Sequence, residues 1–404
     1  MLYNKGGDVH LCNKDGVSPL YIASFYGHRD CVGFLLSKGV EVNKCDKDGF
    51  SPMHVASEKG HSTIQEMLYN KGGDVNLCNK GGASPLYIAS FNGHRDCVGF
   101  LLSKGVEVNK CDNDGISPLH VASEKGHSTI LEMLFNKGGD INLCSKGGVS
   151  PLFMASGNGH KDCVNFLLRK KVEVNNSEDD GFSPLYVASE KGHTTIVEML
   201  YNRGGDVNLC TKYGSSPLHV ASSEGHQDCV AFLLNKGADV NKCNIYRVSP
   251  IYVASEKGHT NIVEILYNKG GDVNLCNEDG LSPLHISVYN GHKDCVNFLL
   301  NKGVKVNKQT NNGVSPLYIA SQKGQATILE MLCSKGADVN MCAEKDKSPL
   351  WTASYKGHKD CVEFLLNIGA EVNKCDDVGF SPLLAASQEG HKQILEMLYN
   401  KGGD

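Results

Sequence analysis

The chain has a single tryptophan among 404 residues and no long apolar run. Its apolar stretches are of the kind Cys31-Val32 followed by Phe34-Leu35-Leu36, far short of the roughly 20 residues that span a membrane, so no membrane insertion is expected. Charge excess is missing too. Lys and Arg number 40 against 45 Asp and Glu, a net of −5, which leaves no basic field for nucleic acid. The start, Met1-Leu2-Tyr3-Asn4-Lys5-Gly6-Gly7-Asp8, lacks the basic and then apolar pattern of a secretory signal. No Cys-x-x-Cys pair suggests a zinc knuckle, and no G-x-S-x-G, P-loop or dinucleotide fingerprint occurs.

Proline never occurs outside a Ser-Pro pair, and the 12 pairs stand 33 residues apart from Pro19 to Pro382. A period without insertion across the chain is the signature of a solenoid, in which each unit buries its apolar face only against its neighbours. The unit Asp48 to Lys80 shows the plan. Asp48-Gly49 is a turn dipeptide, Ser51 caps a helix and Pro52 fills its first position. Met53, Val55 and Ala56 form the apolar side of that helix, and Gly60 stops it. A second helix carries Ile64, Met67 and Leu68 at helical spacing and ends at Gly72. The slot of Ala56 holds Ala in 11 of 12 units, with Ser287 the exception, as close helix crossing requires. The cap glycine fails only at Lys171, and the turn glycine only at Arg247 and Asp346.

The pattern D-G-x-S-P-L-[HY]-[VI]-A-S-x-x-G-H…L-L-x-K-G-x-[DE]-V-N resembles the ankyrin repeat over essentially the whole chain. The family's Thr before Pro is Ser throughout, which keeps the capping hydroxyl. The resemblance implies an all-α solenoid with β-hairpin fingers, a stack of helix-turn-helix-hairpin units. It sets one solenoid over 1–404: a partial repeat over 1–14, eleven repeats over 15–377 and a truncated last one over 378–404. Met1-Leu2-Tyr3-Asn4 aligns with the helix tail Met67-Leu68-Tyr69-Asn70, and the last repeat reads as an internal one, so an excerpt of a longer array is expected.

A second period of 66 overlies the first. Odd units read G-H-x-D-C-V-x-F-L-L and even units G-H-x-T-I-x-E-M-L-Y, as in Gly27–Leu36 and, with small changes, Gly258–Tyr267. Even units place Glu-Lys before Gly-His, as in Glu58-Lys59. Odd units place an aromatic there: Phe25, Phe91, Tyr289 and Tyr355. Duplication of a two-repeat block accounts for this.

Residues that recur with the fold belong to the fold. Of 16 histidines, 11 follow glycine at the helix junction and four (His54, His120, His219, His285) follow Ser-Pro-[LM]. The family uses such imidazoles to bridge turns. Six of the 17 cysteines fill a core slot in Asp-Cys pairs, and ten follow Val/Ile-Asn-x. Rungs of one ladder stand about 10 Å apart, too far for a disulfide, so reduced thiols and a cytoplasmic or nuclear location are expected. The Asn ladder from Asn43 to Asn373 ties neighbouring fingers. The expectation is no catalytic residue, no metal, no cofactor and a monomer.

Ankyrin arrays bind proteins with fingertips and first helices lining a concave face, so the resemblance implies a protein–protein interaction scaffold. The alternative is a spacing segment of a larger channel or adaptor. Contacts are expected where units differ. Interface energy concentrates in Trp, Tyr and Arg, which selects Tyr213, Ile245, Tyr246, Arg247 and Trp351, with Phe25, Tyr26, Phe91, Tyr289 and Tyr355 as a secondary stripe.

Overall fold

The computed structural model describes residues 8–404, so the helix tail expected at Met1–Asn4 lies outside the described residues. The described residues form 24 α-helices and one 3-10 turn, Glu344–Asp346. They fall into two compact units, 1–209 and 210–404, with twelve α-helices each among the described residues.

In the first unit, helix Pro52–Lys59 starts where Ser51 turns its hydroxyl to the His54 N–H and Pro52 needs no donor bond. It ends at Gly60, whose φ of +79° only glycine adopts cheaply. Helix Ser62–Tyr69 then runs back, burying Ile64 and Leu68, and closes when the Gly73 N–H reaches the Leu68 carbonyl at 2.9 Å. The second unit repeats the plan. Ser249 caps Pro250–Lys257, Gly258 ends it at φ +78°, and Thr260–Asn268 buries Ile262, Val263 and Leu266. Within each unit, first helices stack on first helices and second on second. The small Ala slot sits at that crossing, with Ala56 and Ala254 both sealed.

Polar clamps cross the junctions between repeats within each unit. His61, His94, His127 and His160 donate Nε2–H to the Phe25, Glu58, Phe91 and Glu124 carbonyls of the preceding repeat at 2.8–3.2 Å. In the second unit His259, His292, His358 and His391 do the same toward Ser223, Glu256, Gln322 and Tyr355. Each imidazole lies against the preceding cap glycine: a Cβ on Gly93 would stand 2.6 Å from His127 Cε1. The asparagine ladder reaches the other way. Asn43 donates to the Gly72 carbonyl (3.1 Å) and accepts from the Asp74 N–H (2.8 Å), and Asn307 grips Gly336 and Asp338 alike.

The 66-residue period is a pairing code as well as a duplication record. From odd to even repeats, the first-helix aromatic is covered by the next repeat's lysine. Lys59 Nζ lies 4.4 Å from the Phe25 ring, Lys125 4.5 Å from Phe91 and Lys323 3.9 Å from Tyr289. From even to odd repeats, the contact moves to the second helices. Tyr69 meets Phe100 edge-on at 6.0 Å, with Lys104 over both rings. Phe135–Phe166–Lys170 and Tyr267–Phe298–Lys302 repeat the motif. Each cation–π contact at such half-exposed sites is worth about 0.5–1 kcal/mol.

The fingers expected from the resemblance as β-hairpins carry no strand among the described residues. Most fingers are side-chain-capped turns; the exception is the 3-10 turn Glu344–Asp346, which follows Ala343. Asp46 Oδ1 takes the N–H groups of Asp48 (2.9 Å) and Phe50 (2.8 Å), and the Asp46 N–H closes onto the Phe50 carbonyl at 3.0 Å. Between fingers a single backbone bond forms, as from the Lys80 N–H to the Asp48 carbonyl at 3.0 Å. A carboxylate that takes two donors, with one bond left per neighbour, leaves no ladder to build.

One buried residue breaks the plan. Gln65 is sealed in a slot held by Val32, Val98 and Leu131 in other repeats. Its Nε2 donates to Ser57 Oγ at 2.6 Å, but Oε1 has no partner. Ser57 keeps its own bond to the Met53 carbonyl. Gln65→Leu is expected to raise unfolding stability by about 1–2 kcal/mol, read as a higher urea midpoint at unchanged slope.

Candidate functional site

Along most fingers the exposed turn positions are polar or glycine, as in Asp46-Lys47-Asp48 or Asn277-Glu278-Asp279. In the second unit two neighbouring tips depart from this. Tyr213, Ile245 and Tyr246 are 48%, 51% and 54% exposed. The Ile245 N–H donates to the Tyr213 carbonyl at 3.0 Å, which sets the two tips side by side. The turn beneath is fixed: Asn244 Oδ1 takes the N–H groups of Tyr246 and Val248, each at 3.0 Å. Arg247 follows in the left-handed region at φ +58°, where equivalent turns use glycine. A side chain there costs on the order of 1–2 kcal/mol, and this turn bears that cost to present an exposed guanidinium.

Cations gather beside it. Lys242, Lys305 and Lys308 are exposed. The Lys308 N–H donates to the Lys305 carbonyl at 3.0 Å, and Lys305 is tied by its own N–H to Asn274 Oδ1 at 3.1 Å. The Cys276 thiol, on that Asn274 loop, is pushed up by burial, against the opposing pull of Lys308, Arg247 and Lys305 and with Asp272 adding to the rise. Sequence reasoning missed these lysines. The available signal was Lys305, standing where other odd repeats carry Glu41, Glu107, Glu173, Asp239 and Glu371. It escaped notice because attention went to the tips alone.

The other expected contacts divide. Trp351 is corrected: it is 5% exposed, its indole N–H donates to the Phe380 carbonyl at 2.9 Å, and its ring stacks on Tyr355 at 5.2 Å. An indole is large and has one donor; here its ring stacks on Tyr355 of the same helix and its donor is taken by the next repeat, so little is left for a partner. Phe25 and Tyr355 are half-buried, the first under Lys59. Tyr26, Phe91 and Tyr289 remain exposed at 62%, 38% and 49%, though Phe91 and Tyr289 each carry a lysine. Val378, a tip residue passed over in the sequence, is 79% exposed.

The polar groups with chemical potential are committed elsewhere. Ser51 Oγ stands 2.9 Å from His54 Nδ1, a spacing that could suggest a nucleophile and its base. Both are fully buried, His54 Nδ1 accepts from the Ser51 N–H, and Nε2 donates to the Ala83 carbonyl at 3.1 Å. The pair is a capping box. All 17 cysteines are free thiols. Five of the six Asp-Cys thiols fill the core slot as expected, and burial pushes Cys97 and Cys163 up to about 12, far from thiolate reactivity. Cys31, in the first repeat, is exposed. Among the described residues no three His, Cys, Asp or Glu side chains converge on a point, and no helix is long and apolar enough to cross a membrane.

The family model described as ankyrin repeats (3 copies) matches residues 1–79, 62–145, 130–210, 152–244, 200–277, 251–343 and 338–404. No curated protein matches the chain.

The buried histidines make the fold acid-sensitive. Burial holds His54 and His285 at about 4, below the ordinary 6.5, and lowers His120 and His219 in the same way. A second proton would also point from Nδ1 at the N-cap N–H that it now accepts. With the folded value below the unfolded one, the unfolded chain binds more protons as pH falls. Stability is therefore full above about 6.5 and lost progressively toward about 4. At pH 5 the loss is on the order of 1–2 kcal/mol each for His54 and His285, with His120 and His219 adding in the same direction. Tyrosine fills this slot at Tyr21, Tyr87, Tyr186, Tyr252 and Tyr318. Replacing all four histidines by Tyr is expected to flatten the fall in urea midpoint between pH 7 and pH 5. An unchanged fall would show that other groups set the acid limb.

Proposed function

The chain belongs to the ankyrin-repeat family, and from that premise we propose that it is a protein-interaction scaffold with no catalysis of its own. Ankyrin repeats are generally protein–protein interaction modules. The contact surface is assigned to fingertips and first-helix ends where repeats depart from their common pattern, centred on Tyr213, Ile245, Tyr246 and Arg247 in the second unit. Tyr26, Phe91 and Tyr289 extend it along first helices; Phe25 and Tyr355 contribute less, being half-buried.

The observation that carries this reading is the exposure of two tyrosines and an isoleucine on turns that are polar elsewhere, held by a rigid Asn244 cap. Exposed aromatics on a preorganised turn lose little freedom on binding, which is what makes Tyr and Arg effective anchors. The seventeen free thiols support a reducing compartment, cytoplasm or nucleus.

The test uses the full chain as bait in extract of its source, against a variant with Tyr213, Ile245, Tyr246 and Arg247 changed to Ala. Trp351 stays intact, because its removal would empty a buried slot. Loss of at least tenfold in captured partner is expected. Equal capture by the folded variant would move the contact surface elsewhere, and no specific partner for either would favour a spacing role.

A further inference from the structure

We propose, building on the scaffold reading, that the tips around Tyr246 bind an acidic protein segment, one whose carboxylates flank an aromatic or aliphatic side chain. Two features of the surface carry this. The apolar part is Tyr213, Ile245 and Tyr246, neighbours across a backbone hydrogen bond and each about half exposed. The cationic part is Arg247, exposed on the same turn as Tyr246, together with Lys305 and Lys308, exposed on a separate turn that the Lys305 N–H ties to Asn274. None of the three cations makes an ion pair, whereas Lys59, Lys125 and Lys191 elsewhere are each paired with the preceding glutamate.

The way these cations arise points the same way. Arg247 replaces the glycine that its turn would otherwise use and holds a left-handed backbone to do so. Lys305 replaces an acid found at the same place in the other odd repeats. Two departures from the repeat, 58 residues apart in sequence, each add an exposed cation in the unit that carries the apolar patch. Unpaired cations at the rim of an apolar contact attract and orient a complementary anion and reject a like charge. A guanidinium also receives a carboxylate in two parallel hydrogen bonds, which a glycine turn could not offer. A nucleic-acid strand is disfavoured, because Asp272, Glu278 and Asp279 interleave with the cations and would repel a continuous phosphate backbone. A peptide with a few spaced carboxylates can avoid them.

The experiment selects from a displayed library of random dodecapeptides on the full chain, with counter-selection on the Tyr213→Ala/Ile245→Ala/Tyr246→Ala variant. Selected peptides are then titrated by fluorescence anisotropy, alongside a single-stranded DNA 20-mer. The expected result is enrichment of Asp and Glu around an aromatic or aliphatic residue. Affinity should fall at least tenfold on Arg247→Glu/Lys308→Glu, and should weaken as salt rises from 50 to 300 mM. Because both substituted residues are exposed, an unchanged melting transition controls for folding. Neutral or basic consensus sequences that still need the three apolar residues would overturn the acidic class while leaving the scaffold reading in place. Peptides indifferent to all five residues would overturn both. Tighter binding of the DNA than of any peptide, lost on charge reversal, would overturn the proposal in favour of nucleic acid.

Discussion

No repeat of this chain can bury its own apolar face, and that constraint organises everything else. Two helices of seven to nine residues present Leu, Val and Ile on sides that must be covered by the next repeat. Backbone groups left over at helix ends are likewise satisfied across junctions. The histidine after the cap glycine donates to a carbonyl 36 positions back, and the asparagine after the second helix grips groups 29 and 31 positions ahead. Residues that hold junctions recur along the array, with Gln325 in the histidine's place in one repeat. It follows that what recurs at 33 is scaffold, and what recurs at 66 distinguishes the two kinds of junction.

That distinction has a consequence for register. If all junctions were alike, a repeat could pair with either neighbour type. The aromatic–lysine contacts sit on first helices at odd-to-even junctions and on second helices at even-to-odd ones. Where these contacts occur, a slip by one repeat loses them, at a modest energetic contribution per contact.

The helices, their caps and the ladders were legible in the sequence because each rests on a local rule: Ser-Pro for a start, Gly for a stop, alternating apolar positions for the buried side. The fingers were not, because a capped turn and a two-stranded hairpin share the same Asp-Gly signal. Only the side chain of Asp46, taking two donors, decides between them. At the site, Tyr213 and Tyr246 were legible as departures from a polar turn. Trp351 was equally a departure but turned inward, since composition records size and not which way a side chain points. Lys305 and Lys308 were hidden because they belong to a different repeat from Arg247.

The central claim is the division of labour between recurring positions that hold the stack and departures that are free for recognition. It is tested most directly by urea unfolding of two variants of the full chain. His259→Ala removes the 3.0 Å clamp on the Ser223 carbonyl and is predicted to cost about 1–2 kcal/mol. Ile245→Ala/Tyr246→Ala removes two exposed tip residues and is predicted to change stability by less than about 0.5 kcal/mol. A tip variant that destabilises as much as the loss of the clamp would contradict the account, because the tips would then be part of the scaffold.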